Sequence, residues 1–152
     1  MAMSGAGEST RAQHDVLTVG QVMRPPATTV ETRAHVAAAA YLMKRSRDTA
    51  LVVVSNDSIR SPLGIITDAD VSQAVADGRD LEQVRVGDLI KGRDPVTVGP
   101  DTPIEAALRL MLDTVHHHLV VVENAGCVGI VDMTDLCRAL LTAVPRRAPS
   151  SP

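Results

Sequence analysis

Phenylalanine and tryptophan are absent from the 152 residues, and Tyr41 is the only aromatic side chain of the Phe/Trp/Tyr class. Base-stacking platforms for single-stranded nucleic acid are built from aromatic rings, so that function has little to work with here. A formal net charge of −3 argues against non-specific binding to nucleic acid or to an anionic bilayer. No apolar run approaches the roughly 20 residues of a membrane span, and the N-terminal stretch MAMSGAGESTRAQHD has no apolar core of the secretory kind. Cysteine is scarce too. Cys127 and Cys137 stand alone, without the spacing of a disulfide framework, and read as reduced thiols of a cytoplasmic protein. Both are expected to be buried as small hydrophobes, Cys127 at a strand edge and Cys137 on a core-facing helix position. Neither has an adjacent base, and no Ser or Cys stands with a His in a hydrolase order, so enzymatic activity is not expected.

Hydrophobic residues nevertheless make up 45% of the chain, so the core must be Val, Leu, Ile, Ala and Met. They are arranged twice over. Val19-Gly20-Gln21-Val22-Met23 recurs as Val86-Gly87-Asp88-Leu89-Ile90, and Ala50-Leu51-Val52-Val53-Val54 as His118-Leu119-Val120-Val121-Val122. Gly64-Ile65-Ile66-Thr67-Asp68-Ala69-Asp70-Val71 recurs as Gly129-Ile130-Val131-Asp132-Met133-Thr134-Asp135-Leu136, all at offsets of 65 to 68 positions. A long unit present only twice points to one pseudo-symmetric pair, not a solenoid. Each half is small for an independent core, so the two are expected to share one.

Within each unit the order reads β-α-β-β-α. Thr28-Thr29-Val30 and Val96-Thr97-Val98 are brief extended pieces. A helix follows, with Val36, Ala39, Ala40 and Met43 on one face in the first copy, and Ile104, Ala107, Leu108, Met111 and Leu112 in the second. Thr102 is expected as N-cap of the second copy's helix, with Pro103 at N1 and Glu105 at N3. The continuously apolar Leu51–Val54 and Leu119–Val122 suit strands buried on both faces. Turn residues and a second strand come next, then a helix carrying Val71, Ala74 and Val75 or Leu136, Ala139 and Leu140. Asp77-Gly78 ends the first of these helices. The expected organisation is a disordered tail at 1–15, one repeat at 16–78, a linker at 79–85, a second repeat at 86–143, and a Pro/Ser-rich tail at 144–152 whose Arg146 and Arg147 are solvated.

This order, an LVVV-type strand followed by G-h-h-T-x-x-D-h and present twice, resembles the cystathionine beta-synthase (CBS) domain, over about residues 17 to 143. The resemblance implies an α/β (α+β) fold in which two repeats pack as a pseudo-two-fold pair. It looks like a stand-alone tandem pair with no catalytic, channel or transporter domain attached. It further implies a non-enzymatic regulatory module, a homodimer, that binds adenosine ligands (AMP, ADP, ATP, S-adenosylmethionine, sometimes NAD) in two clefts and acts on a partner protein.

By that resemblance Asp70 accepts hydrogen bonds from both ribose hydroxyls and Thr67 faces phosphate. A carboxylate can accept two O–H bonds at once, and a helix N-terminus suits an anion. The same Thr-x-x-Asp is also close to a capping box, a role that needs no ligand and can coexist with one. The second copy departs from the pattern. Asp132 replaces the hydroxyl residue, caps a helix well, but repels phosphate unless a cation such as Mg²⁺ intervenes. Asp135 keeps the ribose role there, and Thr134 offers a hydroxyl. In His116-His117-His118, His117 and His118 occupy positions where the family often has a basic phosphate ligand, while Thr49 and Ala50 in the first copy are uncharged. Further cleft candidates by family position are Gln21, Thr28, Asp88 and Val96, and Arg24, Lys91 and Arg93 are candidates to add positive charge. Ala69, where the family is sometimes basic, weakens the case for a triphosphate. Two alternatives stay open: an interaction module that has lost nucleotide binding, and a metal-responsive protein using His116 and His118, which lack an obvious third ligand.

Overall fold

The computed structural model describes residues 16–26 and 28–143; the expected tails, with Arg146 and Arg147, lie outside them. The first half contains α1 (Val19–Val22), β1 (Thr29–Val30), α2 (Val36–Ser46), β2 (Ala50–Val54), β3 (Pro62–Thr67) and α3 (Asp68–Ala76). The second repeats the series as α4 (Val86–Ile90), β4 (Thr97–Val98), α5 (Ile104–Thr114), β5 (His118–Glu123), β6 (Gly126–Asp132) and α6 (Met133–Ala143). The result is a mixed α+β fold with one three-stranded sheet per half, ordered β1-β2-β3 and β4-β5-β6. In each sheet a parallel pair is joined through a helix, and an antiparallel hairpin completes it.

The central strands are buried on both faces, as their unbroken apolar runs require. Leu51 and Val53 of β2 face one cluster, and Ala50, Val52 and Val54 face another. Leu119 and Val121 of β5 turn away from Val120 in the same way. There are therefore three apolar clusters where one shared core was expected. One lies inside each half. The third, built from Ala50, Val52, Val54, Val120 and Ile130, is the seam between the two sheets.

The cluster inside each half is finished by residues from the other. Val84, Val86 and Ile90 pack into the first half's core with Val36, Ala39 and Met43. Val19 packs into the second half's core with Ile104, Ala107 and Met111. The two lead-in segments are thus exchanged, and the backbone bonds are exchanged with them. The Val19 and Gly20 N–H groups donate to the carbonyls of Thr102 and Pro100, at 2.8 Å each. In the mirrored position Val86 and Gly87 donate to Ala34 (2.8 Å) and Thr32 (2.9 Å).

This exchange corrects the expected helix cap. Pro103, not Thr102, is the N-cap residue of α5, and it makes no side-chain cap bond. The Ile104 N–H donates instead to the Leu17 carbonyl at 3.1 Å, so a neighbouring chain segment satisfies a helix-start donor that a side chain would otherwise have to meet. Leu112 is a second correction. It is 67% exposed, on the far side of α5 from Ile104, Ala107 and Met111. On the last helices Val75 and Leu140 are likewise exposed, while Ala74 and Leu136 are buried. Gly78, just past the end of α3, has φ +71°, the left-handed conformation expected there.

Gly20 has no room for a side chain. A Cβ there would lie 2.9 Å from the Pro100 carbonyl oxygen, a backbone atom that cannot swing aside. Gly20→Ala is expected to lower stability by about 1–3 kcal/mol, the usual cost of overpacking, measured as a fall in the thermal unfolding midpoint. An unchanged midpoint would mean that the first lead-in does not dock on the second half.

Candidate functional site

Two clefts flank the seam, and each takes its parts from both halves. In the first, the β3–α3 junction of the first half faces the β4 approach and the histidine run of the second. It encloses about 250 Å³, lined by Ile65, Thr67, Asp68, Ala69, Asp70, Arg93, Asp94, Pro95, Val96, Val115 and His116–His118. Thr67 and Asp70 form a reciprocal capping box. The Asp70 N–H donates to Thr67 Oγ1 at 3.2 Å, and the Thr67 N–H donates to Asp70 Oδ2 at 2.8 Å. That leaves Asp70 Oδ1 facing the cleft, where it accepts from Arg93 Nη1 at 2.9 Å. Burial alone would raise the Asp70 carboxyl, but the Arg93 and Thr67 bonds outweigh it and hold the pKa below the usual value. The capping role and an accessible carboxylate oxygen thus coexist in one residue.

Beside the second cleft Asp132 caps α6, its Oδ1 accepting from the Asp135 N–H at 2.7 Å. Asp135 Oδ2 accepts from Arg24 Nε at 3.2 Å. Thr28 lines this cleft with Arg24, Pro25, Pro26, Ser46, Asp48, Ala50, Val52 and Ile130, around about 320 Å³. A larger recess of about 680 Å³ lies between the starts of α3 and α6, lined in part by Thr49, Asp68, His117, His118, Asp132, Thr134, Cys137 and Arg138. It shares Asp68, His117 and His118 with the first cleft.

Of the residues singled out from sequence, Thr67, Asp70, Val96, His117 and His118 meet at the first cleft. Thr28 lines the second, Asp135 sits at its edge through the ion pair with Arg24, and Asp132 and Thr134 line the recess. Gln21 and Asp88 are in neither cleft. Both are exposed and act as caps, Gln21 Oε1 accepting from the Thr18 N–H (2.9 Å) and Asp88 Oδ2 from the Arg85 N–H (3.2 Å). Cys137 is exposed and lines the recess, contrary to the expectation of burial; Cys127 is partly buried, and both are free thiols. Asp48, with Arg24 against it, lines the second cleft and was not among the residues singled out from sequence. The available signal was a pair of arginines, Arg24 and Arg93, each soon after a lead-in helix, the first directly before Pro25 and the second two residues before Pro95.

His118 is not an ordinary phosphate donor. Burial, first, pushes its imidazole below the usual value, and the nearby Asp132 only partly opposes this. Its Nε2 lies 3.3 Å from Thr49 Oγ1, which ties the second half's histidine to the first half. A neutral imidazole can share a hydrogen bond with a phosphate but adds no charge at neutral pH.

The family described as CBS domain matches the chain twice, over residues 19–77 and 86–142. The mitochondrial CBS domain-containing protein CBSX3 of Arabidopsis thaliana is 33% identical over 94 residues, 60% of this chain and 46% of that protein. This chain therefore spans about half of that relative's length. Among solved structures, CBSX2 in complex with AMP is 28% identical with a TM-score of 0.66, over 82% of this chain and 96% of that one. A hexameric CBS-CP12 protein from bloom-forming cyanobacteria is 27% identical with a TM-score of 0.75, over 87% of this chain and 76% of that one.

The environment of His118 sets a pH dependence. Folding favours its neutral form, so its contribution to stability is complete above about pH 6.5, the unfolded value. That contribution is lost as pH falls from there through the lower folded pKa. Thermal unfolding between pH 7.5 and 5 is expected to show wild-type protein losing stability more steeply than His118→Gln. Parallel curves would show that the imidazole is not held neutral.

Proposed function

Because this chain belongs to the CBS domain family and carries that domain twice in tandem, we propose that it is a regulatory module binding an adenosine-containing ligand in its first cleft. The observation that carries this reading is the Asp70 carboxylate. One oxygen is fixed by the Thr67 N–H, and the other opens onto a cleft where, among the described residues, only the Arg93 side chain meets it. A ribose diol can replace that guanidinium, giving one carboxylate two O–H donors. Ile65, Pro95 and Val96 provide apolar surface for a base. The start of α3, the nine-residue helix that Thr67 caps, favours a phosphate by its free N–H groups and its dipole. Arg93, once released, is a cation within reach of the same phosphate.

AMP is the first ligand to try, since the similar CBSX2 binds it. The second cleft suits it less, because Asp48 lines it and Asp132 and Asp135 gather with Asp48 on Arg24 at its edge, where they would repel a phosphate. No catalytic step is part of this reading. The output is a change in how the two halves lie against each other, passed to whatever covers the exposed Leu112 and Leu141 of α5 and α6. In this reading the chain pairs with a second copy of itself, and an effector protein reads the resulting assembly. Ligand binding acts on that assembly only if it favours one arrangement over another.

Thermal unfolding with AMP tests the proposal. At about a hundred times its dissociation constant the ligand should add roughly 2.7 kcal/mol, a shift of a few degrees for a chain of this size. Asp70→Ala should abolish the shift, with the cost of losing its cap measured separately without ligand. A shift that survives in Asp70→Ala places binding elsewhere. No shift with AMP, ADP, ATP, S-adenosylmethionine or NAD would leave an interaction module without a nucleotide.

A further inference from the structure

We propose that Arg24 is a built-in occupant of the second cleft, a guanidinium that takes the place of a nucleoside on Asp135 and leaves the chain with one open adenosine site instead of two. The inference rests on the nucleoside reading of the first cleft and adds to it the reason the two clefts behave differently.

Arg24 meets three carboxylates at once. Nη1 lies 2.5 Å from Asp48 Oδ1, Nη2 lies 3.2 Å from Asp132 Oδ2, and Nε lies 3.2 Å from Asp135 Oδ2. These acids come from both halves, Asp48 from the end of α2 and the other two from the start of α6. Only a planar fork of five N–H donors can hold three such partners together; a lysine ammonium cannot match that geometry. The main chain beneath is fixed as well. The Arg24 N–H donates to the Ile130 carbonyl and the Ile130 N–H donates back to the Arg24 carbonyl, both at 3.0 Å.

Arg93 makes the contrast. It meets one carboxylate, Asp70, at 2.9 Å, and its Nη2 donates to the Leu89 carbonyl of its own lead-in at 2.8 Å. A nucleoside entering the first cleft displaces one ion pair, between a half-exposed guanidinium and a largely buried carboxylate. One entering the second must free Asp135 from a guanidinium anchored at two other points, while Arg138 Nη1 lies 3.6 Å from the other Asp135 oxygen. It must also leave Asp48 and Asp132 beside each other with a weakened counterion. The two clefts therefore differ in what must be broken, although each keeps its aspartate.

Adenosine is the probe, because it lacks the phosphate that the acidic cluster would repel in either state. Equilibrium dialysis should show one adenosine per wild-type chain, lost in Asp70→Ala. Arg24→Gln should bind two, the second lost again in Arg24→Gln/Asp135→Asn, while Arg24→Lys should hold the second at least tenfold more weakly than Arg24→Gln. In the wild-type protein, whatever the stability of the variants, added adenosine should move the Nε–H nuclear magnetic resonance signal of Arg93 and leave that of Arg24 in place. Two equivalent sites in the wild type, with both signals moving, overturn the inference and leave the nucleoside reading intact. So does one adenosine bound by both the wild type and a folded Arg24→Gln. No binding to either protein overturns both.

Discussion

Each half of this chain ends its core and starts its first long helix with help from the other half, and most of the architecture depends on that exchange. About sixty residues without a phenylalanine or tryptophan cannot enclose much apolar surface, and small domains are the ones whose buried fraction is lowest. The exchange of lead-in segments answers this. Val19 closes the second core, Val86 and Ile90 close the first, and the helix-start N–H groups of α2 and α5 find carbonyl partners at Val84 and Leu17. The same close approach explains why the V-G pair recurs, since both Gly20 and Gly87 sit with their N–H groups against a backbone carbonyl of the opposite half.

The clefts are by-products of that exchange. A lead-in that crosses to the other half carries its next few residues to the start of a last helix, and on both occasions those residues include an arginine. Asp70 is a capping residue by local geometry, Asp135 gives its N–H to the cap Asp132, and both are ion-pair partners by tertiary geometry. A ligand that competes for these carboxylates therefore competes with contacts between the two halves. That is the physical basis on which a pair of this kind can report binding, since the ligand and the inter-half arginine draw on the same oxygen atoms.

Much of this was legible in the residues. The strands were evident because Val and Ile runs buried on two faces leave no polar residue to confuse the period, and the Thr67 box was evident because Thr and Asp stood three apart before an apolar stretch. The exchange was not legible. Val19 and Val86 look alike in sequence, and nothing local says which core each one enters, because the pattern is the same for a unit that closes on itself. The Thr102 cap failed for the same reason: a residue suited to capping was not needed where a distant carbonyl already stood. Gln21 and Asp88 make cap bonds outside both clefts, and helix capping and ligand binding ask for the same polar side chains, which sequence alone does not separate.

The exchange also imposes an order on the making of the chain. The first half gathers every piece of its core by residue 90, so it can close while the second half is still being synthesised. The second half cannot do likewise. Its missing piece, Leu17 to Met23, is made before anything else in the fold and must wait, with Val19 and its neighbours exposed, until the helix that receives it has appeared more than eighty residues later. Contacts of such long sequence separation form late and slowly. The two halves, nearly identical in plan, therefore differ in birth: the first is complete in the order it is written, and the second is finished by a segment that precedes the whole first half.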